Sequence, residues 1–298
     1  MHASISRLVG GLGLAVTLAV AQPAAADDAT ALYKQGIALK AQGKHDEAIV
    51  KLEAAVAAEP AYGQAWASLG HLYKQKQDYA KAVDAYEKAT AIVTKDAILW
   101  ENLGMAYYRA NRVEDAQRAL TTACRLAPKT PSIHANLGVI KRKQGDVKGA
   151  IRHLELAARY APTDATYANN LGVAYRNDER LDDAIKVFQK AIAIDGNQAD
   201  YHFNLAVVYR RQEELELAIP AYERAVALRP DYAEAYYDLG YMYKLNHEHD
   251  KAIEAWNHYL EIVSSKGDTP ESSKIAGEVK AIGGTPVTTA PVKKPKGK

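Results

Sequence analysis

The sequence predicts an all-α solenoid of seven helix pairs followed by a short C-terminal capping helix. Three observations predict it: a motif that recurs every 34 residues, a small residue at two fixed positions of each copy, and a bulky residue at a third. A fixed period of this length is the signature of repeat architectures. Each copy is therefore expected to form one helix–turn–helix unit that buries its apolar face against its neighbours.

The period appears when one copy is shifted by 34 residues onto the next, which superposes Trp66, Leu69, Gly70 and Tyr73 on Trp100, Leu103, Gly104 and Tyr107. Carried both ways without insertion or deletion, this shift begins the copies at Ala29, Gly63, Ala97, Pro131, Ala165, Ala199 and Ala233. The predicted repeat domain covers residues 27–266. Positions within each copy are numbered 1 to 34 below.

Three positions predict how the two helices of a copy meet. Position 8 is Gly in six copies and Ala206 in the other, position 20 is Ala in all seven, and position 24 is always Leu, Tyr, Phe or Trp. Small residues at positions 8 and 20 let helix backbones approach, and the large residue at position 24 fills the remaining space. Positions 4, 7, 8 and 11 fall within one face of the first helix, at about 100° per residue.

These residues resemble the tetratricopeptide repeat, whose pattern is W-x2-L-G-x2-Y, then A-x3-F, then P. Four copies end with the expected proline, whereas Thr94, Gly196 and Ser264 depart from it. The resemblance implies antiparallel helix pairs stacked into a right-handed superhelix, with the free face of the first helices lining a concave groove.

The ends of the chain carry separate signals. Residues 1–26 predict an export signal: a cationic start ending at Arg7, an apolar run from Leu8, and an A-x-A cleavage pattern at Ala24 and Ala26. The mature chain would then begin at Asp27 and be periplasmic or secreted, with no membrane span; the alternative is an uncleaved N-terminal anchor.

At the other end, residues 267–283 predict the capping helix, with Thr269 as N-cap, Pro270 at the first helical position and Gly283 just beyond the end. Ile275, Val279 and Ile282 share one face of this helix, which is expected to cover the last copy. Residues 284–298 are expected to form a disordered basic tail. Inside the sixth copy, Pro220 is expected to remove a helical hydrogen bond and cause a local bend.

A ligand is expected on the free face of the first helices, at positions 2, 5, 6, 9, 12 and 13. Position 6 carries side-chain amides that could bond the backbone of an extended peptide, at Asn102, Asn136, Asn170 and Asn204. The alternative is that these amides hold adjacent helices together.

Cations and aromatic residues complete the predicted groove. Positions 12 and 13 carry Arg109, Arg142, Lys143, Arg176, Arg210, Arg211 and Lys244, which favour an acidic peptide; the alternative is a solvated charged face. Position 9 supplies an apolar column, expected to be exposed. Phe203, Tyr237 and Tyr241 are expected to anchor a ligand in the last two copies, or to be ordinary packing between copies.

Composition and motifs exclude several classes of function. Lys and Arg total 38 against 36 Asp and Glu, which argues against a nucleic-acid binder. A single cysteine, Cys124, excludes an internal disulfide. No catalytic motif is found, so we expect no enzyme activity and no cofactor or metal. His247 and His249 alternate in a turn, where solvated polar residues are more common than metal ligands.

The sequence thus predicts a scaffold that binds a protein or peptide partner. The alternatives are a self-assembling structural protein and a non-catalytic accessory subunit of an envelope enzyme. Charge bears on self-assembly: copies 2–4 hold 16 Lys and Arg against 10 Asp and Glu, whereas copies 5–7 hold 11 against 17. Such a dipolar body could pair head to tail with a second copy of itself, or could orient a partner in the groove.

Overall fold

In the computed structural model, residues 23–264 and 269–287 are described, and the chain divides into two compact units, with the boundary between Lys95 and Asp96 in the sequence. The described part of the first unit contains four helices. They are α1 (Pro23–Ala41), α2 (His45–Ala58), α3 (Gly63–Gln75) and α4 (Tyr79–Ile92). Each pair of consecutive helices, α1 with α2 and α3 with α4, packs together.

The second unit, called unit 2 below, contains five further helix pairs and a final helix within the described residues. The first four pairs are α5 (Ala97–Arg109) with α6 (Val113–Leu126), α7 (Pro131–Lys143) with α8 (Val147–Tyr160), α9 (Ala165–Asn177) with α10 (Leu181–Ile194), and α11 (Ala199–Arg211) with α12 (Leu215–Leu228). The fifth pair is α13 (Ala233–Leu245) with α14 (His249–Val263), and α15 (Pro270–Ala281) packs against α14. The predicted fold class is confirmed: all described elements are helices, the two helices of each pair pack together, and neighbouring pairs pack on each other within each unit.

Helix starts follow the 34-residue period. Six of the seven predicted starts are the first residues of α3, α5, α7, α9, α11 and α13. The exception is α1, which begins at Pro23, before the predicted start Ala29. Helix α12 runs continuously from Leu215 to Leu228 through the exposed Pro220.

The close approach predicted at position 8 is present in the six helix pairs that carry glycine there. A Cβ built on Gly104 would lie 2.6 Å from Leu120 Cγ, and one built on Gly172 would lie 2.6 Å from Phe188 Cε1. The position-24 side chains Leu120 and Phe188 are fully buried. Alanine in place of Gly104 or Gly172 would therefore force the second helix or its side chain to shift. The sixth copy differs, since it carries Ala206 at position 8.

The turn between the two helices of a pair has one recurring backbone feature. Position 15 has a positive φ, between 57° and 78°, in all seven turns, at Gly43, Gln77, Asn111, Gly145, Glu179, Glu213 and His247. Only two of these residues are glycine, although left-handed backbone favours it. His247 thus occupies a structural position of the turn.

A second recurring contact joins consecutive copies. At position 4, the ring N–H of Trp66 donates to the Pro60 carbonyl at 3.0 Å. His134 Nε2 makes the equivalent bond to the Pro128 carbonyl at 2.9 Å. A carbonyl only accepts, so Nε2 of His134 carries the proton.

The opposite ring nitrogen of His134 meets a second histidine. His134 Nδ1 lies 3.2 Å from His153 Nδ1, and His134 is only 4% exposed. Burial lowers the pKa of His153, and the charges of His134, Lys141 and Arg152 lower it further, whereas Asp146 opposes them.

The C-terminal helix begins as predicted. Thr269 is its N-cap and forms a capping box with Ser272, and Pro270 occupies the first helical position. Ile275 and Val279 are fully buried against the last pair, while Ile282 is partly buried.

The start of the predicted tail is held on α14. The Asn257 amide donates to the Thr285 carbonyl at 3.2 Å and accepts from the Val287 N–H at 2.9 Å. The rest of the predicted tail, 288–298, lies outside the described residues.

The predicted export signal falls mostly outside the described residues. Residues 1–22 lie outside them, and Pro23–Ala26 form the first residues of α1. Among the helices described, none combines the length and apolar character needed to cross a membrane.

Candidate functional site

The candidate site in unit 2 is the first-helix face, defined by positions 2, 5, 6, 9, 12 and 13 of α5, α7, α9, α11 and α13. Positions 4, 7, 8 and 11 of these helices point into the core, and the positions that define this face lie on the other side of each first helix. All fourteen predicted site residues lie in these five helices.

The asparagine column links neighbouring first helices. Asn136 Nδ2 donates to Glu101 Oε1 at 2.8 Å, and Asn204 Nδ2 donates to Asn169 Oδ1 at 3.0 Å. These contacts run from position 6 of one copy to position 5 of the copy before. They support the alternative that the amides hold adjacent helices together.

Three cations of this face, in α5 and α7, have no acidic partner within the described part of the chain. Arg109, Arg142 and Lys143 are exposed, and no ion pair joins any of them to a carboxylate among the described residues. This part of the face therefore presents positive charge to solvent.

Arg176 differs because it is half-buried. Its Nη1 donates to Asn204 Oδ1 at 2.9 Å, and it has no carboxylate partner in the described part of the chain. Burial lowers the pKa of the Arg176 guanidinium, and the charge of Arg211 lowers it further. The charged form of Arg176 is thus held in a site that lacks negative charge.

The remaining cations at positions 12 and 13 have acidic partners within the chain. Arg211 Nη1 lies 3.0 Å from Glu179 Oε1, and Lys244 Nζ lies 2.6 Å from Glu278 Oε2 on α15.

Arg210 has a more distant acidic partner. Arg210 Nη2 is 3.8 Å from Asp238 Oδ2, and Asp238 also accepts from the Tyr222 hydroxyl at 3.1 Å. Burial raises the pKa of Asp238, although Arg210 and Tyr222 oppose the shift.

A cavity of about 80 Å³ lies on this face between α7 and α9. Val139 and Val173 form its apolar walls, and Arg142 and Asn170 supply polar groups. It has room for a small side chain beside the guanidinium of Arg142.

The apolar column at position 9 was expected to be exposed, and this expectation is wrong. Met105, Val139 and Val173 are half-buried, and Val207 is 8% exposed. Only part of each side chain therefore remains available to a ligand.

The predicted aromatic residues form two groups. The Phe203 ring lies 4.9 Å from that of Tyr232 and 5.8 Å from that of Tyr222. Tyr237 and Tyr241 lie 5.1 Å apart and contact α15 through Lys274, whose Nζ is 5.3 Å from the Tyr241 ring centre. Helix α15 thus occupies the end of the face at α13.

One recurring interaction was not predicted. The tyrosine hydroxyl at position 11 bonds the side chain at position 25 of the preceding copy, as in Tyr175 to Glu155 at 2.8 Å and Tyr209 with Gln189 at 3.1 Å. Burial, together with Glu155, raises the pKa of Tyr175 to about 12. The 34-residue recurrence of Glu or Gln at position 25 was the available sequence signal.

No group of three or more His, Cys, Asp or Glu side chains that could hold a metal ion occurs among the described residues. The rings of His247 and His249 lie 6.5 Å apart in their turn.

Two family models match the chain. One is described as the Cilia and flagella-associated protein 70 C-terminal domain and matches residues 8–235, and the other is described as Tetratricopeptide repeat and matches residues 221–254. A search of curated proteins finds no match.

Solved structures share the fold. The C-terminal part of a TPR repeat-containing protein from Cytophaga hutchinsonii aligns with a TM-score of 0.66 at 18% identity, over 82% of this chain and 98% of that one. YrrB, described as a TPR protein with an unusual peptide-binding site, aligns with a TM-score of 0.52 at 21% identity, over 62% and 95%. The APC/C hetero-tetramer Cut9–Hcn1 aligns with a TM-score of 0.55 at 24% identity; the match covers 70% of this chain but only 42% of that one. At these identities the likeness is one of fold.

Proposed function

Since this chain belongs to the tetratricopeptide-repeat family, we propose that it is a scaffold that binds an extended, acidic segment of a partner protein on the first-helix face of unit 2. The fold is one that generally serves protein–protein interaction without catalysis. The position and charge of the binding site are our proposal.

The observation that carries the proposal is the absence of carboxylate partners for Arg142 and Arg176 within the described residues. These two cations occupy position 12 of consecutive copies, whereas Arg210 and Lys244 of the next two copies have acidic partners in the chain. A guanidinium forms its strongest hydrogen bonds with carboxylates. An acidic side chain of a ligand would give Arg176 the carboxylate partner that it lacks within the described residues.

An extended ligand suits the arrangement because consecutive copies present the same position repeatedly along the face. The cavity between α7 and α9 would accept a small side chain next to an acidic one bound by Arg142. Asn136 and Asn204 already bond neighbouring helices, so the affinity would come mainly from charge and partly apolar contact.

A labelled acidic hexapeptide that alternates glutamate and leucine tests this proposal by fluorescence anisotropy. Reversing two cations, Arg142→Glu with Arg176→Glu, should weaken binding at least about tenfold, since hydrogen bonds to charged groups contribute about 1.5–3 kcal/mol. The matched control is Arg159→Glu with Lys190→Glu, which makes the same charge change on the second helices α8 and α10.

The control should bind as the wild type does, and a lysine–leucine hexapeptide should not bind. Equal affinity of the two charge-reversal variants, or equal affinity for the acidic and basic peptides, would remove the electrostatic basis of the site.

We also propose that the scaffold acts in the periplasm or is secreted after cleavage at Ala26. The support is the cationic, apolar and A-x-A pattern of residues 1–26. N-terminal sequencing of the protein from fractionated cells should begin at Asp27. An intact N-terminus on a cytoplasmic protein would contradict this assignment.

A further inference from the structure

One edge of unit 2 carries a charge pattern that changes sign along its length. We call it the turn edge and define it as positions 12–18 of copies 3–6, where each first helix ends and each second helix begins: residues 108–114, 142–148, 176–182 and 210–216. Consecutive helix pairs pack side by side, which places these turns in a row.

The half of the turn edge in copies 3 and 4 is cationic. Arg109, Arg142, Lys143 and Lys148 are exposed and form no ion pair with any described carboxylate. Glu114 is the one exposed acidic residue of this half without a described ion pair. The net charge presented to solvent is therefore positive.

The half in copies 5 and 6 is acidic. Glu213, Glu214 and Glu216 are exposed and have no cationic partner within the described residues. In contrast, the cations of this half are largely compensated, since Arg180 pairs with Asp183 at 2.7 Å and Arg211 with Glu179 at 3.0 Å. The net charge presented to solvent here is negative.

We propose that the turn edge is the interface of a two-fold symmetric homodimer, and that its partner is a second copy of this chain. When two such edges meet antiparallel, the cationic half of each faces the acidic half of the other. A two-fold arrangement uses the same surface on both copies and closes at the dimer. A parallel arrangement would instead place like charges opposite each other.

The charges on this edge imply a weak, salt-dependent dimer. An exposed ion pair contributes little by itself, so that several pairs are needed for association. The screening length falls from about 10 Å at 0.1 M salt to about 3 Å at 1 M. We therefore expect the dimer dissociation constant to rise at least about tenfold between 50 mM and 500 mM NaCl.

Charge exchange between the two halves tests the interface by sedimentation velocity on the purified protein. Variant one is Lys143→Glu with Lys148→Glu, which makes the whole edge acidic. Variant two is Glu213→Lys with Glu216→Lys, which makes it basic. Each variant alone should be monomeric under conditions where the wild type dimerises, while an equimolar mixture and the combined four-site variant should both dimerise.

Self-association of either single variant at the wild-type level would overturn the proposal, as would a mixture that stays monomeric. Species larger than dimers would contradict the two-fold closure. Circular dichroism at 222 nm verifies that each variant is folded. Binding of the acidic hexapeptide is measured separately: variant two should retain it, so that failure of the dimer and failure of the peptide site are distinguished.

Discussion

Substitution of Gly172 tests whether close helix contact at position 8 holds each pair together. In Gly172→Ala, the new Cβ would lie 2.6, 2.7 and 2.8 Å from three ring atoms of Phe188, which is fully buried and cannot withdraw to solvent. Overpacking of this kind costs about 1–3 kcal/mol. The higher helix propensity of alanine relative to glycine stabilises the folded state by about 0.5–1 kcal/mol and offsets part of this cost. The expected net destabilisation is about 1 kcal/mol, within a range of about 0–2.5 kcal/mol.

Gly277 provides the matched control, since a Cβ built on it meets nothing within 4 Å in the middle of α15. Gly277→Ala should leave stability unchanged or raise it by up to about 1 kcal/mol. Urea unfolding followed by circular dichroism should give a lower midpoint for Gly172→Ala and an equal or higher one for Gly277→Ala. Equal midpoints for the two variants would refute the packing argument.

Three further predictions concern polar interactions of the fold. Because the pKa of His153 is lowered from its ordinary value of 6.5, the fold should be most stable above pH 6.5 and should lose stability as the pH falls below 6.5. Thermal melts from pH 8 to 5 should show a smaller loss of stability in His153→Gln than in the wild type. An identical loss in the two proteins would contradict this prediction. Tyr175→Phe removes the hydroxyl that donates to Glu155 and should cost about 0.5–1.5 kcal/mol in urea unfolding, whereas no cost would assign the tyrosine to packing alone. Thr269→Ala removes the N-cap of α15 and should speed amide exchange in that helix while leaving α5 unchanged; uniform acceleration in both helices would contradict a local cap.

The repeating elements could be predicted from the sequence because each one is dictated by a residue that recurs every 34 positions. The starts at Gly63 and Pro131 and the cap at Thr269 needed only local patterns. The early start of α1 at Pro23 could not be predicted this way, because its first residues lie outside the repeat.

The candidate site could be predicted only in part, because its charge depends on contacts between separate copies. A column of cations was visible, but the acidic partner of Lys244 is Glu278 on α15, far along the chain. The same limit applies to Asn204, which meets Asn169 of the preceding copy. Sequence periodicity locates a face, whereas the neighbours decide which of its groups remain available.

Hydrogen–deuterium exchange of the protein with and without the acidic hexapeptide tests the central claim most directly, because it shows which helices the ligand contacts. Exchange should be slower in the last turns of α7 and α9, around Arg142 and Arg176, and unchanged in α8 and α10. Protection confined to the second helices, or absent from α7 and α9 while the peptide is bound, would contradict it.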